Sequence, residues 1–169
     1  MTDQPPRLTH EFFYYIGLIV AHWTAIEVHL EFVILETQEI PTGAGLPLTS
    51  SLGTRAKMDL FETIINWKND RADPKDTELT QIVADIKSAY AKRNNVAHHL
   101  WSPTTDPKVG RRRTIRARGR LKEVEELVSI DSLDSDAEFI HGVGQRLTDM
   151  HKAKRFHSEH SDDDPAQSV

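Results

Sequence analysis

Apolar residues recur at steps of three and four along residues 9–37, and this spacing predicts a first long helix with one buried stripe. Glu27 interrupts that stripe, and a carboxylate that faces a core needs a partner there. We therefore expect Glu27 to be buried and paired. The apolar members of the stripe are Ile16, Val20, Trp23, Ile26, Leu30 and Ile34.

Three more helices are predicted by the same periodicity. One covers residues 54–69, another begins at residue 76 or 77, and the last runs from residue 132 or 135 to about 156. The segment 40–53 contains three Gly and two Pro residues, which predicts a connection without regular structure. Residues 111–129 alternate in polarity and include β-branched side chains, which is typical of a short hairpin.

These elements predict an all-α fold, a bundle of four to five helices with a short Arg-rich β-hairpin inserted before the last helix. A chain of 169 residues is long enough for one core but short for two, so we expect residues 9–156 to form a single domain. The polar composition of residues 157–169 predicts a disordered tail.

The net charge of −5 conceals a local excess of positive charge. The segment RRRTIRARGR holds six of the 21 basic residues and no acidic one, so the rest of the chain has 15 basic residues against 26 acidic ones. Alternate residues of a strand share a face, and such a face can meet successive phosphates of RNA. Alternatively, the charges balance the acidic body or a partner subunit. The residues expected to bind substrate are Arg112, Arg116, Arg118 and Arg120.

Other functional classes are disfavoured by composition. The absence of cysteine excludes disulfides and thiolate metal sites, and a reducing cytoplasm is the expected compartment. The first helix is apolar enough to span a membrane, but Glu27 and Glu31 would be costly there, so we expect no membrane contact. His151, His157 and His160 are irregularly spaced in or near a polar tail, so we expect no metal site.

A dense polar motif, KRNNVAHHLW at residues 92–101, ends the third predicted helix. Continuing the apolar stripe of that helix places Arg93 and Ala97 on its inward face, where a guanidinium is unusual. Such a run of Arg, Asn and His suits neither a core nor a solvated face. The motif is therefore the main candidate for a functional site.

The pair Arg93 and Asn94, followed by His98 after four intervening residues, resembles the signature of the HEPN superfamily. The first-helix stretch HWTAIEVHL, the second-helix start TRAKMDLF and Trp101 are also similar to HEPN members, so the resemblance covers residues 10–101. It implies a helical bundle that dimerises so that two copies of the motif face each other. For many members it also implies metal-independent ribonuclease activity.

The resemblance implies that Arg93 and His98 cleave RNA through its 2′-hydroxyl group, giving a 2′,3′-cyclic phosphate and a 5′-hydroxyl. An imidazole can transfer protons near neutral pH, and a guanidinium can hold the charge on the phosphorane. Asn94 would orient His98 or bind the phosphate. The expected partners are RNA, a second copy of the chain, and an antitoxin or other regulatory protein; no cofactor is expected. Candidate supporting residues are Glu27, Asn95 and His99.

Three other interpretations stay open. In the first, Arg93 caps the structure by pairing with Glu27, while His98 binds a backbone carbonyl; Arg55 is an alternative partner for Glu27. In the second, the chain is a non-catalytic HEPN-like dimer that binds a nucleotide, RNA or a protein. In the third, it is a helical protein that binds a partner and has no ligand.

Overall fold

The computed structural model describes residues 7–72, 74, 76–117 and 121–156, with the backbone alone at 116, 117, 121 and 122. This part of the chain is mostly helical and contains five helices and three strands. The helices are α1 His10–Thr37, α2 Thr42–Ser50, α3 Thr54–Asn69, α4 Thr77–Ala97 and α5 Ile130–Lys152. The strands are β1 Leu100–Pro103, β2 Val109–Ala117 and β3 Leu121–Ser129. The predicted tail, residues 157–169, lies outside the described residues.

Helix α1 is the centre of the bundle. Its start is fixed by Thr9, whose hydroxyl accepts a hydrogen bond from the backbone N–H of Phe12 at 3.2 Å. It packs against α5, α3 and α4, and its buried stripe forms the middle of the core. Each fully buried apolar side chain of this kind contributes about 1.5–3 kcal/mol. The stripe comprises Phe12, Ile19, Trp23, Ile26, Leu30, Val33 and Ile34.

By length and composition alone, α1 could also cross a membrane, with a mean hydropathy of 1.6 over its most apolar window. In the fold, however, its apolar stripe packs against other helices. Its two carboxylates near the core, Glu27 and Glu31, pair with Lys57 of α3. Both are half-buried, so the prediction that Glu27 is paired is confirmed but the prediction that it is buried was wrong. The helix therefore has the contacts of a bundle core.

All four predicted helices are confirmed, with two corrections: one concerns the connection after the first helix and the other the start of the last helix. The segment predicted as an irregular connection contains α2, so that prediction was wrong. Small residues allow this helix: a Cβ added to Gly45 would lie 2.2 Å from Leu35 Cδ2, so only glycine can pack this closely. The last helix begins earlier than predicted because Ser129 is its cap, accepting a hydrogen bond from the N–H of Ser132 at 3.1 Å.

The predicted hairpin is confirmed and belongs to a larger sheet. Strands β2 and β3 pair antiparallel, and β1, which the pattern did not predict, pairs with β2 to give the order β1-β2-β3. One face of the sheet lies on the bundle: the ring of Trp101 is 5.2 Å from that of Phe12, edge to face, and Gly110 packs directly against Phe12. The sheet is thereby attached to the end of α4 that carries the polar motif.

Candidate active site

The polar motif occupies the last turns of α4 and lies beside the N-terminal half of α1. The ring of Tyr90, just before the motif, is 5.3 Å from that of Trp23, and Trp101, just after it, contacts Phe12. Arg93 continues the buried stripe of α4 and is half-buried, as expected, whereas Ala97 is exposed, so its predicted inward position was wrong. Arg93 therefore emerges from the core at the surface of the bundle.

The side chains of Arg93 and His98 converge. Arg93 Nη1 lies 2.9 Å from His98 Nε2 and donates to Asn94 Oδ1 at 3.0 Å. Because a guanidinium has only donors, His98 Nε2 must accept this hydrogen bond, which requires a neutral ring with its proton on Nδ1. His98 is exposed, so its ring faces solvent as well as Arg93.

Arg93 has no carboxylate partner among the described residues. Its Nε is buried and makes no hydrogen bond, and its two hydrogen bonds are those to Asn94 and His98. A buried donor without a partner costs about 1–3 kcal/mol, and a charged group more. The arrangement thus maintains a positive charge that no acidic side chain of the described chain neutralises.

Glu27 does not pair with Arg93, so the interpretation of that pair as a structural cap was wrong. The carboxylate of Glu27 accepts a hydrogen bond from the Thr54 hydroxyl and lies 3.8 Å from Lys57 Nζ, which also pairs with Glu31. Lys57 satisfies the interior carboxylates because it is itself buried, with 5% of its surface exposed. Arg55 does not reach Glu27 and makes no ion pair with a described residue.

The role of Lys57 was not predicted, although the sequence contains a signal for it. Lys57 precedes Phe61 by four residues and Met58 by one, so it lies on the apolar side of α3. A lysine on that side of α3 and two glutamates on neighbouring turns of α1 form a complementary pattern. Lys57 is thus a structural residue of the core.

Two side chains from the sheet hold the C-terminal end of α4. Trp101 Nε1 donates to the carbonyl of Val96 at 3.0 Å, and Arg112 Nη1 donates to the carbonyl of Asn95 at 3.0 Å. The last carbonyls of a helix have no partner within the helix, and a cation near them is favourable. Trp101 and Arg112 therefore fix the turn that carries Arg93 and His98.

The arginines of the hairpin are largely occupied where the structure describes them. Arg112, expected to bind substrate, is only 15% exposed and pairs with Glu126 as well as with α4. Arg111 and Arg113, on the opposite face of β2, pair with Glu125, and Arg113 also pairs with Glu123. Arg118, Arg120 and the side chain of Arg116 lie outside the described residues.

The side chains of the two remaining candidates make no hydrogen bond to Arg93 or His98. Asn95 is exposed, and its carbonyl accepts the bond from Arg112. His99 is half-buried, and its Nδ1 is enclosed without a hydrogen-bond partner. The structure therefore brings together Arg93, Asn94 and His98, and leaves Glu27, Asn95 and His99 outside that cluster.

Within the described residues, no group of three or more His, Cys, Asp or Glu side chains is arranged to hold a metal ion. Comparison with known proteins gives no relative: no family model, no curated protein and no solved structure matches the chain. The function of the chain is therefore inferred from the geometry of the site itself.

Proposed function

We propose that this chain is a metal-independent endoribonuclease of the HEPN type, acting as a cytoplasmic homodimer. In this proposal it is a toxin or defence protein controlled by an antitoxin or other regulatory protein. One observation carries the proposal: the 2.9 Å contact between Arg93 Nη1 and His98 Nε2, at the surface of the bundle, with no carboxylate on Arg93 among the described residues.

An arginine without an acidic partner is suited to binding an anion. Nη1 of Arg93 uses its two N–H groups on Asn94 and His98, while Nη2 makes no hydrogen bond to a described residue. A phosphate could accept from that side of the planar guanidinium in a charge-assisted hydrogen bond. The hydrogen bond from Nη1 to Asn94 restricts the orientation of the guanidinium, so less conformational freedom is lost when a phosphate binds.

The reaction uses the hydroxyl group that RNA already contains. When the phosphate attracts Arg93, Nε2 of His98 becomes free to take the proton of the 2′-hydroxyl. The 2′-oxygen then forms a bond to phosphorus, and Arg93 stabilises the charge on the equatorial oxygens. The bond from phosphorus to the 5′-oxygen breaks, and that oxygen takes a proton from the second His98 of the dimer, whose Nε2 has taken a proton from solvent after Arg93 is drawn to the phosphate. The products are a 2′,3′-cyclic phosphate and a 5′-hydroxyl.

The proposed homodimer supplies the second imidazole. His98 that has accepted a proton is no longer a base, so a base and an acid acting in one cleavage are best provided by two histidines. An isologous dimer places the same patch of each subunit against the other, so two copies of Arg93 and His98 can flank one phosphate. The exposed position of His98 leaves the space that this arrangement needs.

The direct test is cleavage of a mixed-sequence RNA by the purified chain in excess EDTA. We expect cleavage of the RNA, no cleavage of the same sequence as DNA, and fragments ending in a 2′,3′-cyclic phosphate by mass spectrometry. His98→Ala should abolish cleavage, and Arg93→Lys should reduce the rate at least about 100-fold, because it keeps the charge and loses the planar fork.

Controls separate loss of chemistry from loss of fold. His98 is exposed, so His98→Ala should change the free energy of unfolding by no more than about 0.5 kcal/mol. His10→Ala, which removes another exposed imidazole, should cleave at the wild-type rate. Cleavage that persists in His98→Ala, or equal cleavage of DNA, would contradict the proposed mechanism.

A second candidate function, a non-catalytic module that binds a protein, is favoured by the outer face of the sheet. Strand pairing places Leu100, Ile115 and Leu127 on the face that also carries the ion pairs of Arg111 and Arg113, and the three apolar side chains are 62%, 53% and 66% exposed. Exposed apolar side chains surrounded by charged residues are typical of protein interaction sites. In this case RNA would not be cleaved, and Leu127→Ser would weaken partner binding while Arg93→Lys would not.

A further inference from the structure

Four histidines form two ring pairs along the seam between α1 and α5, away from the polar motif of α4. The rings of His22 and His141 have their centres 4.8 Å apart, and those of His29 and His151 are 5.6 Å apart. The helices approach closely here because Gly144 faces Ile26, where an added Cβ would lie 3.3 Å from Cγ1. The close approach brings imidazoles of the two helices together.

The two pairs differ in how their nitrogens are used. His151 Nε2 lies 2.7 Å from a carboxylate oxygen of Glu36, so this ring already has a partner. The nitrogens of His22 and His141 make no hydrogen bond to a described residue, and both rings line a cavity of about 290 Å³. Gln145, one turn after His141 on α5, lines the same cavity.

We infer that His22 and His141 bind one divalent transition-metal ion, such as Zn²⁺, that joins α1 to α5, with Gln145 as a neighbouring oxygen donor. Two imidazoles that bind one zinc ion at about 2.0–2.1 Å hold their ring centres roughly 5 Å apart at tetrahedral angles. The observed ring centres, 4.8 Å apart with the ring planes at 51°, are compatible with that separation, and binding requires each ring to turn one nitrogen toward the ion. Water completes the coordination, and the inference is independent of the proposed ribonuclease activity.

Imidazole ligands favour a transition-metal ion. A neutral imidazole binds such an ion through a ring nitrogen, and the nitrogens of His22 and His141 have no other partner among the described residues. A hard cation such as Mg²⁺ prefers oxygen ligands, so this nitrogen pair should discriminate against it.

The test is thermal unfolding of the full chain, first freed of metal with EDTA, in 100 µM Zn²⁺ or Mg²⁺. A ligand present at roughly 100 times its Kd and bound only by the folded state should raise the Tm by about 5 °C or more. We expect this rise with Zn²⁺ and none with Mg²⁺. Isothermal titration calorimetry should give a binding stoichiometry of one Zn²⁺ ion per chain at this site.

Substitutions identify the ligands. His141→Gln changes an exposed residue and should fold normally while losing the Zn²⁺ shift, and His22→Gln should lose it as well. His29→Gln is the matched control, because His29 lines the same cavity but its ring pairs with His151, and it should keep the shift. The inference is overturned if Zn²⁺ does not raise the wild-type Tm, if the shift survives in His141→Gln, or if His29→Gln removes it.

Discussion

Arg112 of β2 donates a hydrogen bond to the carbonyl of Asn95 at 3.0 Å and so joins the sheet to the end of the helix that carries Arg93 and His98. The sequence pattern had suggested Arg112 as a residue that binds RNA. In the structure its guanidinium occupies the C-terminal end of α4 and pairs with Glu126. Its role is to position the turn that holds the candidate active site.

The first prediction compares two neighbouring arginines. Arg112→Ala should lower the free energy of unfolding by about 1–2 kcal/mol, because it removes a charge-assisted hydrogen bond to the end of α4. Arg113→Ala is the control. Among the described residues Arg113 pairs with exposed glutamates of β3, so the expected loss of unfolding free energy is about 0.5 kcal/mol. Urea unfolding followed by circular dichroism measures both, and equal losses would contradict the positioning role.

The second prediction concerns Trp101, the other side chain that holds this turn. Trp101→Phe keeps an aromatic ring against Phe12 but removes the hydrogen bond to the Val96 carbonyl, so a loss of about 1 kcal/mol is expected. The variant should remain folded at 25 °C, and its rate of RNA cleavage there should still fall, because the turn with His98 loses an anchor. A variant that is destabilised but cleaves at the wild-type rate would show that the anchor does not affect the site.

The sequence predicted the parts of this fold that depend on local periodicity. Helices α1, α3, α4 and α5 each bury a stripe at three- and four-residue steps, and this pattern is visible in the chain alone. Helix α2 was missed because its Gly and Pro residues disfavour a helix locally. In the fold, Gly45 of this helix packs closely against Leu35, and that contact is not visible in the local sequence. Strand β1 was missed because it exists only through its pairing with β2.

In the candidate site, too, the features visible in the local sequence were predicted and those that depend on the fold were not. Arg93 and His98 could be identified from the sequence because both lie in one short motif at the end of a helix. The roles of Trp101 and Arg112 could not, since they depend on the register that places Trp101 opposite Arg112. The predicted partners of Glu27, Arg93 and Arg55, were wrong because Lys57, buried on the apolar side of α3, provides the cation for this carboxylate.

The third prediction tests that buried lysine. Lys57→Met fills a similar volume but leaves Glu27 and Glu31 without their cation, and breaking a buried pair in this way should cost about 3–5 kcal/mol. Lys87→Met is the control, since Lys87 pairs with Glu62 at the surface and should cost no more than about 1 kcal/mol. Chemical unfolding measures the difference. Similar losses for the two variants would mean that Lys57 does not neutralise the interior carboxylates.

The fourth prediction is a pH dependence set by Asp76, the cap of α4. Burial alone would raise the pKa of this carboxyl, but hydrogen bonds from Arg155 and from the backbone N–H groups of Leu79 and Glu78 outweigh it and lower the pKa below its ordinary value. The unfolded chain therefore takes up a proton at higher pH than the folded one. The stabilisation from Asp76 is complete above about pH 5 and is lost as the pH falls through the folded pKa.

Urea unfolding at pH 5 and pH 3 isolates this contribution when wild type is compared with Asp76→Asn. The amide side chain introduced by this substitution can still cap α4 but cannot ionise, so the variant should lose less stability between the two pH values than wild type does. Glu78, which also pairs with Arg155, remains in both proteins and cancels in the comparison. Identical losses in the two proteins would show that the ionisation of Asp76 does not hold α4 to the end of α5.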